Sequence, residues 1–155
     1  MAGHATWVHA AWVLVFVACI GIVPPGAVDG DQAYRVEHYS APTPSHVVGA
    51  TTVSTSDVQQ MIAAGDVILI DVYGAAMSMA KGAEGAWIVP PRRNLVNSTW
   101  LPNVGQGVLD QPLERYFLLN LKRLTDGDLS RRIVFYCRSD CWLSWNASKR
   151  ALEHG

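Results

Sequence analysis

The run Arg132-Ile133-Val134-Phe135-Tyr136, followed at once by Cys137-Arg138-Ser139-Asp140-Cys141-Trp142, decides the fold class of this chain. Apolar and aromatic residues without polar alternation have the pattern of a strand buried on both faces, as found inside a parallel sheet. A second run of the same kind, Val67-Ile68-Leu69-Ile70-Asp71-Val72, lies upstream. Around these runs the period changes to that of helices. Ser54 to Ala64 places Val58, Met61 and Ile62 on one face, with Ser54 or Ser56 as the cap and Gly65 as the stop. Pro112 suits a first helical turn, and Leu113, Tyr116, Phe117, Asn120, Leu121 and Leu124 recur at helical spacing as far as Thr125-Asp126-Gly127-Asp128. Leu143 to Glu153 repeats the amphipathic pattern. Short strands are expected at Ser98–Leu101 and, inside a Gly- and Pro-rich loop over 73–95, at Ala86–Val89. Strands alternating with helices predict an α/β domain built on a parallel sheet flanked by helices.

Composition bounds the rest. Of 155 residues half are apolar and six are Trp, enough for one core. The net charge of −1 leaves no basic footprint, and the pairs Arg92–Arg93, Lys122–Arg123 and Arg131–Arg132 are scattered, so they read as solvated surface and no nucleic-acid partner is expected. Charge is absent before Asp29, and Ala10 to Val23 is continuously apolar, ending at Pro24-Pro25-Gly26-Ala27. That length fits the apolar region of an export signal and is short for a membrane span. Residues 1–27 are therefore expected to direct export to the periplasm, with cleavage near Ala27. The alternative is an uncleaved inner-membrane anchor, the one case in which a membrane is a partner. Residues 28–46, polar and turn-rich, are expected to be a linker or N-terminal arm, and the domain to span 47–155, with its folded part starting near Val47. The closing Leu152-Glu153-His154-Gly155 reads as a helix cap in mid-pattern, where a parallel sheet would continue, so a truncated C-terminus is expected.

Three cysteines occur. Cys19 lies in the export segment, which leaves Cys137 and Cys141, a pair suited to a disulfide in an oxidising compartment. A cysteine between a parallel strand and a helix sits where open α/β folds bind ligands. Loop amides and the helix N-terminus favour an anion there, so Cys137 is expected to have a lowered pKa, helped by Arg138. The plainer alternative is that Cys137 is a small core residue. Cys137 would be the attacking thiol and Cys141 the resolving one. A permanent structural disulfide is the other option, although so small a loop stabilises by less than the ~3 kcal/mol of a 15-residue loop. Asp71, at a strand end, is expected to orient a loop through backbone hydrogen bonds. Trp142 and Trp145 either cover the cysteine loop or belong to the core. Arg92 and Arg93 could meet an anionic substrate but suit solvated surface better. A zinc site would need two further ligands, of which only His154 is at hand, so no metal is expected.

The run Ile133 to Arg138 resembles the active-site strand and loop of rhodanese-like domains. Val67 to Val72 is similar to the family's strand ending in Asp, and Leu95-Val96-Asn97-Ser98-Thr99-Trp100-Leu101-Pro102 looks like a drifted form of its Ile-Pro-Gly-Ala segment. The resemblance covers about Val47 to Gly155. A narrower likeness joins Trp100-Leu101-Pro102-Asn103-Val104-Gly105 and Tyr136 to Ala147 to the "PQQ-dependent catabolism-associated CXXCW motif" proteins, exported rhodanese-like proteins found with quinoprotein alcohol dehydrogenase systems. The resemblance implies a rhodanese-like sheet, a persulfide-forming Cys137, and Arg138, Ser139, Asp140 and Trp142 as the loop that cradles an anion. A typical sulfurtransferase loop continues Cys-Arg-x-Gly-x-Arg. Here Asp140 replaces the Gly and Trp142 the second Arg, which weakens the cradle for thiosulfate.

Three functions follow as expectations. One is sulfurtransferase-type chemistry with a small sulfur donor or a thiol protein as partner. The second is dithiol–disulfide exchange by Cys137 and Cys141. The third is a catalytically inert accessory or binding module for a dehydrogenase, such as that of a quinoprotein dehydrogenase system, a cytochrome or a small metabolite. No cofactor is expected; the PQQ link is one of association, and no residue points to its binding.

Overall fold

The computed structural model describes residues 33–75 and 92–155, together with the backbone of two short strands between them. In chain order the elements are β1 (His46–Val47), β2 (Ala50–Thr51), α1 (Thr55–Ala64), β3 (Ile68–Asp71), β4 (Ser78–Met79), β5 (Trp87–Ile88), β6 (Thr99–Trp100), α2 (Gln111–Thr125), β7 (Ile133–Tyr136) and α3 (Trp142–Glu153). The fold class is α/β, as expected: three parallel strands in the order β6-β3-β7 pack against helices. Two short antiparallel pairings, β1–β2 and β4–β5, stand beside the sheet. The export segment expected over residues 1–27, with Cys19, and the stretch 28–32 lie outside the described residues.

Local chemistry accounts for the element ends. Ser54 caps α1 by accepting from the Asp57 N–H at 3.2 Å, and Asp57 returns the bond to the Ser54 N–H at 2.8 Å. This reciprocal pair satisfies two donors that the helix leaves open. Gly65 ends α1 in the left-handed region at φ 69°, where a Cβ would be strained. Asp110 caps α2 through the Leu113 N–H, with Pro112 in the first turn, and Asp126 closes it, also left-handed. Both helices lie where their periodicity places them.

Strand β3 is central, so Leu69, Ile70, Asp71 and Val72 are buried. Strand β7, expected to be buried on both faces, is only half-buried throughout. Among the described residues it pairs with β3 alone. Its Phe135 packs on Phe117 of α2 at 5.9 Å between ring centres. Around them Ile70, Val72, Leu101, Val104, Leu143 and Ala147 complete the core. Tyr136 ends β7 by donating to or accepting from Ser98 Oγ at 2.7 Å and accepting the Leu95 N–H, which ties the outer strand to the lead-in of β6 across β3.

The folded part begins earlier than Val47. Residues 33–45 form an ordered arm on α3, not a free linker. The Asn146 side chain, fully buried, exchanges two hydrogen bonds with the backbone of Arg35 and donates a third to the Gly105 carbonyl. One turn later Arg150, 5% exposed, donates to the carbonyls of Val104, Gln106 and Gly107. The loop after β6 therefore lies flat against α3 and the arm. A Cβ on Gly105 would stand 2.2 Å from the Leu143 carbonyl oxygen, and one on Gly107 2.3 Å from that of Arg35. Both neighbours are backbone and cannot rotate away. Gly105→Ala is accordingly expected to lower unfolding free energy by about 2–3 kcal/mol in urea denaturation, the range for overpacking a tight site.

Candidate functional site

The strand ends β3 and β7 release the chain into two loops that meet. Beyond β3, Asp71 accepts the Tyr73 N–H at 2.9 Å and so turns the chain toward Gly74. Its carboxylate, 0% exposed, is also held by Arg92 in a two-pronged pair at 2.6 and 3.1 Å. Arg92 is thus not the solvated residue its paired sequence suggested. A buried carboxylate needs a fixed cation, and the guanidinium fork suits it. The Asp71 carboxylate in turn raises the Arg92 pKa. The ring of Tyr73 carries two cations: Arg92 at 4.4 Å and Arg138 at 5.4 Å from its centre.

Beyond β7, residues 137–141 form the cysteine loop. Arg138, Ser139 and Asp140 are exposed, Cys137 is half-buried, and Cys141 is 4% exposed. Asp140 sits at φ 48°, in the left-handed region that glycine enters freely. The aspartate thus keeps the turn that a glycine would make there, with some backbone strain. Arg138 donates to Ser40 Oγ of the arm, and Ser40 forms a β-bridge with Cys141. Of the two places expected for the tryptophans, Trp145 takes the core. Trp145 is buried and Trp142 half-buried, and their indole N–H groups donate to the arm carbonyls of His46 (3.1 Å) and Pro42 (3.0 Å). The Trp142 backbone N–H donates to the Tyr39 carbonyl at 2.9 Å. The two indoles hold the arm against the cysteine loop.

These parts enclose an open cleft of about 260 Å³, with Tyr39, Ser40, Tyr73, Asn103, Arg138 and Cys141 among its walls. It lies at the carboxyl ends of the parallel strands. Asn103 keeps its place by accepting the Ala75 N–H at 3.1 Å. Sequence reading missed Tyr39, Ser40, Tyr73 and Asn103 as wall residues. The Trp100 to Gly105 motif was the only available signal, and it covers Asn103 alone. Ser144 was missed too. It is one turn into α3, with Oγ 3.4 Å from the Cys137 sulfur. His154, weighed as a metal ligand, faces Glu114 at 3.4 Å. Among the described residues no three His, Cys, Asp or Glu side chains converge to hold a metal ion.

Both cysteines are thiols, with no disulfide between them. The Cys137 sulfur lies within hydrogen-bond distance of the Cys141 carbonyl and Ser144 Oγ, each at 3.4 Å, and of the Arg138 carbonyl at 3.8 Å. The neighbouring Cys141 side chain, then burial, pushes the Cys137 pKa up, against the Ser144 hydroxyl and amide, which lower it. The Cys137 side chain, helped by the Leu143 and Arg138 amides and the Arg138 charge against the opposing effect of burial, lowers Cys141 to about 6. The lowered pKa expected at Cys137 therefore belongs to Cys141. Carbonyl oxygens accept and cannot donate, so a charge on Cys137 would face like-signed dipoles, whereas Cys141 occupies the N-terminus of α3. One proton serves the two sulfurs.

A stability profile follows. The unfolded chain keeps both thiol protons up to pH 9.0, whereas the folded pair has lost one above about 6. Stability is thus expected to rise with pH from about 6 to 9, where the unfolded state binds more protons. Above 9.0 the unfolded chain loses both protons while folded Cys137 keeps its own, and stability falls. Urea midpoints measured across this range check both limbs, and Cys141→Ser should remove the rising one. Asp140→Gly should stabilise the protein by about 0.5 kcal/mol, because relief of left-handed strain outweighs the added freedom of the unfolded chain. A lower melting temperature for that variant would contradict the strain.

The chain matches no protein-family model, no curated protein and no solved structure. What stands is an α/β domain with a small parallel three-stranded sheet flanked by helices and a cysteine pair at the edge of a cleft.

Proposed function

We propose that this chain is an exported, rhodanese-like sulfur-handling protein whose Cys137–Cys141 pair accepts a sulfane sulfur from a small donor and passes it to a thiol. The observation that carries this reading is a pair of free cysteines beside an open cleft at the carboxyl ends of the parallel strands. A thiolate is the form of cysteine that attacks sulfur. The cleft is smaller than the ~300 Å³ at which drug-sized ligand sites begin, which suits a donor of a few atoms. Arg138 gives it one cationic wall for an anionic donor. The narrower resemblance carries the setting: the periplasm, in company with a quinoprotein dehydrogenase system. A second reading, dithiol–disulfide exchange with a partner protein, is favoured by the placement of both free cysteines in one loop, with the Cys137 sulfur 3.4 Å from the Cys141 carbonyl.

Intact mass spectrometry of the purified protein, before and after inorganic polysulfide and with thiol alkylation, separates them. Sulfur handling predicts a gain of one sulfur atom that the double variant Cys137→Ser, Cys141→Ser does not show. No gain by the wild-type protein would sink it. A loss of two hydrogens with alkylation blocked until reduction would move the case to disulfide exchange.

A further inference from the structure

The two cysteines differ in what surrounds them, and the difference assigns their roles. Cys141 is a wall residue of the cleft, together with Arg138, Tyr73 and Asn103; Cys137 is not among the residues that line it. The Cys137 sulfur is turned to the Cys141 and Arg138 carbonyls and to Ser144 Oγ. The Ser144 hydroxyl donates to the Cys141 carbonyl at 3.3 Å. The two carbonyls beside the Cys137 sulfur can only accept, and they favour a proton on it. We infer that Cys141 is the sulfur that attacks the donor from the cleft and that Cys137 is the positioning thiol that holds the shared proton. The rhodanese-like resemblance implies the opposite order, with attack by Cys137. The inference rests on the sulfur-handling reading above.

The step balances without an added oxidant or reductant. The Cys141 thiolate attacks the outer sulfur of a sulfane donor, forming a new S–S bond. The donor's own S–S bond breaks, and its leaving group departs with the electron pair, as sulfite when the donor is thiosulfate. Cys141 is left as a persulfide anion, with the proton still on Cys137. An acceptor thiolate then takes the terminal sulfur and restores the Cys141 thiolate. Overall exposure ranks the residues the other way, with Cys141 the more buried.

The single variants decide between the two orders. Serine is a good helix N-cap, so Cys141→Ser keeps the start of α3, and Cys137→Ser keeps a hydroxyl where the thiol donated. Each purified full-length variant is treated with inorganic polysulfide at neutral pH, and sulfur uptake is followed by intact mass. Uptake at least about tenfold faster in Cys137→Ser than in Cys141→Ser is the expected result. The reverse ranking overturns the assignment and leaves the proposed function standing. Loss of uptake in both variants, with the wild-type protein active, also overturns it, since Cys141 would then not suffice as first acceptor. No uptake by the wild-type protein removes the proposed function and the assignment together. Limited alkylation of the wild-type protein, mapped by proteolysis, gives a second readout independent of the donor: the first label should fall on Cys141, and a first label on Cys137 counts against the assignment.

Discussion

Asn146 and Arg150, one turn apart on α3, both end on main-chain carbonyls of the loop that follows β6. Each is buried, so each had to find partners on leaving water. They find them only if the helix, the loop over 101–107 and the arm near Arg35 lie flush. Gly105 and Gly107 permit that approach, since any side chain there would meet backbone. The cysteine loop is the short connection between β7 and this clamped helix. Its two ends are therefore fixed, one by pairing with β3 and the other by the polar seam.

The electrostatics of the cleft follow from the same placement. Asp71 is buried because β3 is central, and the bound Arg92 brings a guanidinium to the ring of Tyr73. Arg138 reaches the same ring from the cysteine loop. Two cations thus frame an aromatic wall a short distance from a sulfur of low pKa. The local field favours an anion at Cys141 rather than at Cys137, because the carbonyls that close the turn surround the latter. The interaction between the two cysteine side chains is the largest cause of the split, and the Leu143 and Arg138 amides and the Arg138 charge add to it at Cys141.

Much of the framework could be read in the residues, for identifiable reasons. The apolar runs of β3 and β7, the cap at Ser54 and the Pro112 turn are local signals, and the elements they mark exist in place. What escaped depends on distant partners. The half-burial of β7 follows from its outer position, which periodicity does not encode. The arm has a polar, turn-rich composition and is ordered by main-chain and side-chain bonds to α3, not by an apolar face of its own. Arg92 looks like half of a surface pair until Asp71, 21 residues away, is seen beside it. The cysteine loop was located by its place between strand and helix, but the state of each sulfur was not, because the carbonyls around Cys137 are arranged by the turn itself.

The clasp between arm and helix also governs when the site comes into being. Pro42 and Trp142 are 100 residues apart, His46 and Trp145 99, and Arg35 and Asn146 111. Closing loops of that length is the slow part of folding, and contacts of this range form after local helices and turns. A nascent or partly folded chain therefore carries both thiols without the wall that Tyr39 and Ser40 supply. The cleft is complete only once the arm over 39–46 has met the cysteine loop and α3.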